Sequence, residues 1–173
     1  MTIASLQTVT NFAAPTGLGL DDSQRFRRTI ELLVKGFATQ DIDGIMSLFA
    51  DDAVYCDILG EALRGDEYHG KVAIRQAFTR QFDLSGRHTY ENARIMVEGH
   101  RAFASWTLVA GDADDPTVAR FEGIDEFCLN DAARVTLKKA WLKGQPRLRR
   151  TLMRKNPTAL FRHVGYTLRS WGK

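Results

Sequence analysis

The length, composition and charge of this chain limit the classes of protein it can belong to. Its 173 residues, 44% of them hydrophobic, suit one domain with a substantial core, and no apolar run approaches the roughly 20 residues of a membrane-spanning helix. Two cysteines argue against a disulfide scaffold, and the first 20 residues lack the basic start of a secretory signal, so we expect a cytoplasmic protein.

The charge is distributed unevenly along the chain. All 21 acidic residues lie at or before Asp131, which gives residues 1–131 a net charge of −9, whereas residues 132–173 carry +12. We expect this basic tail to pack on the chain's own acidic body or on a partner subunit. A solvated helix and contact with a membrane surface are the alternatives. Nucleic acid is not an expected partner, because no binding motif accompanies the charge.

Helical periodicity dominates the first half of the chain. Residues 1–22 read as an N-terminal arm, and apolar residues at helical spacing predict a helix over residues 23–39. Asp41 caps a second, shorter helix, and residues 51–60 read as a strand that contains Asp57. After a polar loop, Ile74, Phe78 and Phe82 mark a third helix over residues 72–82.

The pattern then changes to that of β-strands. Strands are predicted over residues 90–97, 102–110, 118–129 and 135–142. Three helices followed by an antiparallel meander predict an α+β fold, with a curved sheet packed by the helices on one face. We take residues 23–143 as the domain and residues 144–173 as an extra basic extension, in which residues 158–171 have the pattern of an amphipathic helix.

Two aspartates lie within apolar strand patterns. Asp57 shares a strand face with Tyr55, and Asp125 shares one with Phe121, Gly123 and Phe127. If that aromatic face lines the interior, burial favours the neutral form of Asp125. The alternative for each aspartate is a solvated position at the edge of the sheet.

Several short motifs carry a resemblance to a known superfamily. They are residues 40–45 (QDIDGI), residues 49–54 leading to Asp57 (FADDAV), residues 68–70 (YHG), residues 73–75 (AIR) and residues 124–127 (IDEF). Through them, residues 23–143 resemble the nuclear transport factor 2-like superfamily, and within it the bacterial ketosteroid isomerases and SnoaL-like polyketide cyclases. The resemblance implies a cone-shaped domain that forms a homodimer through the open face of its sheet.

The resemblance also implies roles for both aspartates. Asp57 falls where the isomerases keep their catalytic base, and Asp125 where they keep a protonated aspartic acid that donates to the substrate oxygen. The chain departs from the isomerases at two tyrosine positions, which are occupied by Leu33 and Phe78. The cyclases pair a histidine with an aspartate, for which His88 or His100 is available.

The leading hypothesis is a cofactor-independent isomerase or cyclase that transfers a proton on a small hydrophobic carbonyl compound, steroid-like or polyketide-like. Asp57 would act as the base and neutral Asp125 as the donor to the oxyanion. The residues expected to line a hydrophobic substrate pocket are Tyr55, Leu33, Phe78, Trp106, Phe127 and Trp141. The alternatives are a non-catalytic binding module of the same fold, and a hydratase or epoxide hydrolase in which Asp57 activates water. No metal ligands have a suitable spacing, and no cofactor is expected.

Overall fold

The computed structural model describes residues 20–60, 62–86, 88–112, 114 and 118–143. These form three helices and six strands, in the order α1 (Leu20–Thr39), α2 (Ile42–Ser47), β1 (Phe49–Cys56), β2 (Glu67–His69), α3 (Gly70–Ser85), β3 (Thr89–Glu98), β4 (Arg101–Val109), β5 (Arg120–Leu129) and β6 (Val135–Leu142). The predicted α+β class, with helices packed on one face of a curved sheet, is confirmed.

The six strands form one sheet in the order β2-β1-β6-β5-β4-β3, and the sheet does not close on itself. The four strands β3 to β6 form the antiparallel meander that the sequence predicted, but β1 lies beside β6 and runs parallel to it. The sheet is therefore mixed, which corrects the prediction of a purely antiparallel sheet. The reason is topological, because β1 enters the sheet from the helical half of the chain and pairs with the last described strand.

The boundaries around Asp57 also differ from the prediction. The second helix ends at Ser47, and β1 begins at Phe49, two residues before the predicted start of the strand. Asp57 follows the last residue of β1 and is not central in the strand. The loop after it contains the short strand β2, whose backbone pairs with the end of β1. Asp57 therefore lies where a regular strand gives way to a loop, at the edge of the packed interior.

The core fills the space between the helices and the sheet face that we call the inner face. This face carries Tyr55, Ala104, Asp125, Phe127 and Lys138, all at least nine-tenths buried. The helices contribute fully or nearly fully buried apolar side chains to the same cluster, namely Phe26, Ile30, Leu33, Phe37, Ile74 and Phe78. The opposite, outer face is more open and carries Met96, Ile124, Lys139 and Trp141.

Two predicted segments fall largely or wholly outside the described part of the chain. Residues 1–19 belong to the expected arm, although α1 begins at Leu20, three residues before the predicted helix start. Residues 144–173, the basic extension, are not among the described residues, so its amphipathic helix stays a prediction. No helix in the described ranges is long and apolar enough to cross a membrane.

The centre of the core is an aromatic cluster around Phe78, which gives a direct test of the packing. Phe78 is fully buried, and its ring centroid lies 4.8 Å from that of Tyr55 and 5.0 Å from that of Phe37. We expect Phe78→Ala to lower the free energy of unfolding, measured by urea titration, by about 3–5 kcal/mol. The substitution leaves a cavity in place of the ring, and the surrounding side chains cannot fill it completely. The matched control is Val72→Ala on the same helix, where the side chain is 74% exposed and the change should stay within about 0.5 kcal/mol.

Candidate active site

Asp57 is held by backbone groups close to it in the chain. The backbone N–H of Ile58 donates to Oδ1 at 2.6 Å. The backbone N–H of Asp57 itself donates to the carbonyl of Asp66 at 2.9 Å. The Tyr55 hydroxyl is close enough to lower the pKa of the Asp57 carboxyl. The side chain is therefore held at the point where β1 gives way to the loop.

Burial controls the protonation of Asp57. Desolvation raises the pKa of the Asp57 carboxyl above its ordinary value, against the opposing effects of the hydrogen bonds from Tyr55 and Ile58 and of the Lys138 charge. Burial also raises the pKa of the Tyr55 phenol well above its ordinary value, and the neighbouring Asp57 and Asp125 charges add to the effect. Tyr55 therefore stays a hydrogen-bond donor, and Asp57 is a stronger base than a solvated aspartate.

Asp125 lies in the middle of β5 and is paired on both carboxylate oxygens. The Lys138 ammonium donates to Oδ1 at 2.7 Å, and the Trp106 indole N–H donates to Oδ2 at 3.0 Å. The side chains of Lys138 and Asp125 are 6% and 10% exposed. An acid that donates to a substrate needs a free O–H, whereas both oxygens here accept hydrogen bonds, one of them from a cation. Both oxygens of Asp125 thus already have partners in this structure, and its expected role as a neutral donor stays a prediction.

Lys138 is the member of the site that the sequence analysis missed. Its ammonium lies 5.2 Å from the ring centroid of Tyr55, 5.3 Å from that of Phe37 and 5.8 Å from that of Phe127, within the range of cation–π attraction. A signal was available. Lys138 and Lys139 are consecutive in a strand, and successive strand side chains point to opposite faces, so one of the two had to enter the interior.

A glycine makes room for the indole that fixes Asp125. Gly123 is the cross-strand partner of Trp106, and a Cβ added at position 123 would collide with the Trp106 ring. The ring can therefore lie over the backbone of β5 and bring its N–H to Asp125. On its other side, the Tyr90 ring packs edge-on at 5.2 Å, and burial raises the pKa of the Tyr90 phenol.

The structure brings together most of the residues expected at the site. Six of them lie around Lys138 and are linked by ring contacts, by a hydrogen bond or by the effect of one group on the pKa of another. They are Tyr55, Asp57, Phe78, Trp106, Asp125 and Phe127. Leu33 belongs to the same buried cluster. Trp141 is the exception, because it pairs with Ile124 on the outer face and is 46% exposed. Trp141 was predicted to line the pocket, and the alternation along β6 places it on the other side of the sheet.

The histidines have partners away from this cluster. His100 bonds to Asp131 at 2.8 Å at the surface. His88 is buried beside the end of α3, where its Nδ1 lies 2.9 Å from the Ser85 hydroxyl. Neither contacts Asp57 or Asp125 through the described hydrogen bonds. Within the described ranges, no group of three or more His, Cys, Asp or Glu side chains is placed to hold a metal ion.

Two of the surface cavities among the described residues have neither aspartate in their lining. One of about 430 Å³ lies between α2 and α3, and its lining includes Met46, Lys71 and Arg75. The other, of about 320 Å³, lies on the outer face beside Ile124 and Trp141. The space around Lys138 is occupied by packed aromatic rings, and Asp57, which is half-buried, is the more solvent-accessible acid of the pair.

The comparisons with known proteins agree with this architecture. Three helices packed on a curved, unclosed mixed sheet with carboxylates on its inner face define a nuclear transport factor 2-like protein. The chain belongs to the SnoaL-like domain family, whose model matches residues 30–137. No functionally curated protein matches the sequence.

Solved structures with similar folds share little sequence with this chain. A candidate polyketide cyclase from Xanthomonas campestris pv. campestris has 17% identity and a TM-score of 0.59, over 78% of this chain and 99% of that one. A candidate ketosteroid isomerase from Kribbella flavida has 15% identity and a TM-score of 0.58, over 72% and 82%. The epoxide hydrolase/cyclase-like enzyme SalBIII has 16% identity and a TM-score of 0.56, over 72% and 95%. These similarities establish the fold.

The raised pKa of Asp57 has a consequence for stability. Where folding raises a carboxyl pKa, the folded state tolerates the neutral carboxyl better than the charged one. The protein is therefore most stable, with respect to this group, below the pKa of about 3.9 in the unfolded state. That stability is lost as the pH rises through the higher pKa of the folded state. We expect Asp57→Asn to be more stable than the wild type at pH 7, and the difference to shrink towards zero near pH 4. Urea titrations at both pH values measure this. A constant difference across the range would contradict the desolvation of Asp57. Asp52→Asn, at an exposed position on β1, is the control.

Proposed function

We propose that this protein is a cofactor-independent isomerase or cyclase that transfers a proton on a small hydrophobic carbonyl compound, with Asp57 as the general base. The observation that carries the proposal is the state of Asp57, a half-buried carboxylate with a raised pKa that accepts a hydrogen bond from the backbone N–H of Ile58 at the end of β1. A base is most effective when its pKa approaches the working pH and its lone pairs are fixed in direction. The folds shared with candidate isomerase and cyclase structures are compatible with this chemistry.

The proposed reaction begins at a carbon next to a carbonyl group. Asp57 accepts a proton from that carbon, the electron pair moves into the carbonyl group, and an enolate forms. The protonated Asp57 then returns the proton to a different carbon of the same compound. Alternatively, the enolate carbon attacks a second carbonyl group and closes a ring, and Asp57 gives its proton to the alkoxide oxygen that this attack forms. Tyr55, beside the carboxylate, keeps its own proton, because burial raises its pKa. General base catalysis of this kind contributes about 100- to 10,000-fold in rate.

A non-catalytic binding module is the alternative with a specific observation in its favour. Leu33 and Phe78, at the positions where the isomerases have tyrosines, are fully buried and offer no hydroxyl. Loss of one such donor typically costs about 100- to 1,000-fold in rate. A hydratase or epoxide hydrolase, in which Asp57 would activate water, is a third possibility. Such an enzyme would incorporate ¹⁸O from labelled water into its product, which distinguishes it from the isomerase or cyclase and from the binding module.

Hydrogen exchange on a panel of ketones tests the proposed chemistry without knowledge of the natural substrate. We expect the wild type to speed the exchange of α-hydrogens of apolar cyclic ketones for deuterium in D₂O, followed by proton NMR. Asp57→Asn should lower the enzyme-dependent rate by at least about 100-fold, since the amide cannot accept the proton. Asp52→Asn should match the wild type. Equal rates for wild type and Asp57→Asn, or no acceleration of any ketone, would reject Asp57 as the base and favour the binding module.

We also propose that the chain forms a homodimer through the outer face of the sheet. Met96, Ile124 and Trp141 are 66%, 39% and 46% exposed, and the strand pairings place all three on this face. Apolar side chains exposed together on one surface commonly mark a contact between proteins. The dimer expected from the family resemblance would cover them.

Sedimentation equilibrium tests the dimer. We expect the wild type to have the mass of two chains, and Ile124→Glu to shift the equilibrium to the monomer, because burial of two opposed carboxylates is costly. The matched control is Val72→Glu on α3, which lies away from the outer face and is 74% exposed. A wild type that is monomeric at every concentration would contradict the assignment of this surface.

A further inference from the structure

The loop that follows Asp57 exposes apolar side chains. It joins β1 to β2, and its residues 57–60 and 62–66 are among those described. Ile58 and Leu59 are 41% and 53% exposed, and Leu63 is fully exposed. Single apolar side chains at a surface are ordinary, whereas three of them close together in the chain give this loop an apolar surface that the fold leaves uncovered.

Backbone contacts fix the shape of this loop. The N–H of Asp66 donates to the carbonyl of Leu59 at 2.6 Å, and the N–H of Gly65 donates to that of Ala62 at 2.9 Å. Gly65 has a φ of +78°, and a Cβ at this position would collide with the carbonyl oxygen of Asp57, so the loop packs closely on the backbone of the proposed base. The loop therefore keeps its apolar side chains at the surface beside Asp57.

The same loop contacts the Asp57 carboxylate. The N–H of Ile58 donates to Oδ1 at 2.6 Å, and the N–H of Leu59 is close enough to lower the pKa of the carboxyl. Two of the three exposed apolar residues are thus the immediate neighbours of the proposed base. An apolar compound that presents a carbon atom to Asp57 from the solvent side would lie against their side chains.

The interior on the other side of Asp57 is filled with side chains. Phe37, Tyr55 and Phe78 are at most 7% exposed, and their rings are in contact with one another. The Lys138 ammonium occupies the space beside the rings of Phe37 and Tyr55. Since these groups are packed together, a substrate of Asp57 has room on the loop side, and the body of the compound would lie outside the core.

We propose that this loop binds the substrate, and that the substrates are ketones with an extended alkyl chain. The chain lies across Ile58, Leu59 and Leu63 while the carbonyl end reaches Asp57. The inference rests on the proposed function, because it names the compounds on which Asp57 would act. An extended chain can follow side chains that are spread along residues 58–63, whereas a compact ring system contacts fewer of them at once. Leu59 and Leu63 become specificity-determining residues, and proton transfer stays with Asp57.

The length of the alkyl chain gives a direct test. Each buried methylene contributes up to about fourfold in affinity, so a surface that takes the chain binds longer 2-alkanones more tightly. We expect the wild type to bind 2-nonanone at least about 10-fold more tightly than 2-pentanone. Saturation-transfer difference NMR measures both affinities, and in H₂O any exchange of α-hydrogens leaves the two ketones chemically unchanged.

The double variant Leu59→Ser, Leu63→Ser should reduce this ratio to about threefold or less, because most of the apolar surface is lost. The matched control is Leu32→Ser, which should behave as the wild type. Leu32 is an exposed leucine on α1, which packs against β3 and β4 at the opposite edge of the sheet from β1 and β2. All the replaced side chains are exposed, so the variants should fold, and circular dichroism checks this.

The proposal is overturned if the folded double variant keeps the wild-type ratio of affinities, or if the wild type binds 2-nonanone no more tightly than 2-pentanone. The same variant identifies other occupants of the loop. With alkanone binding unchanged, a lower mass in sedimentation equilibrium would indicate a second copy of the chain. Loss of flotation with phosphatidylcholine vesicles would instead indicate a lipid surface, and either result would overturn the proposal.

Kinetics distinguish this outcome from failure of the proposed function. In D₂O, the double variant should exchange the α-hydrogens of 2-nonanone with a KM raised at least about fivefold and an unchanged kcat, since Asp57 and Ile58 are intact. Binding that depends on the loop, together with no exchange, would support the loop and reject Asp57 as the base. Exchange that depends on Asp57 with the same KM in wild type and folded double variant would support the base and overturn the role of the loop.

Discussion

The ion pair between Asp125 and Lys138 is the constraint on which the rest of this interior depends. Two opposite charges at 2.7 Å, each at least nine-tenths buried, lose their hydration on folding. A pair of this kind commonly contributes little net stability compared with apolar residues of the same volume, whereas one partner alone is strongly destabilising. The helices, Trp106 and the ring of Phe37 must therefore be arranged around the pair, which fixes one geometry for the interior.

The pair also gives the two aspartates different surroundings. Asp125 is bonded to a cation through one carboxylate oxygen and to an indole through the other. Asp57, just after the end of β1, is half-buried and accepts a hydrogen bond from the backbone N–H of Ile58. Two carboxylates of the same chemical type thus lie in different electrostatic environments within one interior.

The sequence predicted the fold well because its strongest signals are local. The spacing of Ile74, Phe78 and Phe82 and the alternation along β5 depend on which residues are near neighbours in the chain. The pairing of β1 with β6 could not be derived in the same way, since it joins segments that are 80 or more residues apart. Lys138 was missed for a related reason. Its partner Asp125 lies on another strand, and a lysine is stable in the interior only where such a carboxylate pairs with it.

Charge does not distinguish the correct alignment of β5 and β6 from its neighbour. Asp125-Glu126 and Lys138-Lys139 place one acid–base pair on each face, Asp125 with Lys138 inside and Glu126 with Lys139 outside. A chain that slipped by one residue during folding could still match acids with bases on both faces. Gly123 acts on the neighbouring pair of strands, β4 and β5, because only a glycine accommodates the Trp106 ring and a shift between these two strands would place a side chain beneath it. The alignment of β4 with β5 is therefore marked by shape, whereas the charged pairs alone do not define that of β5 with β6.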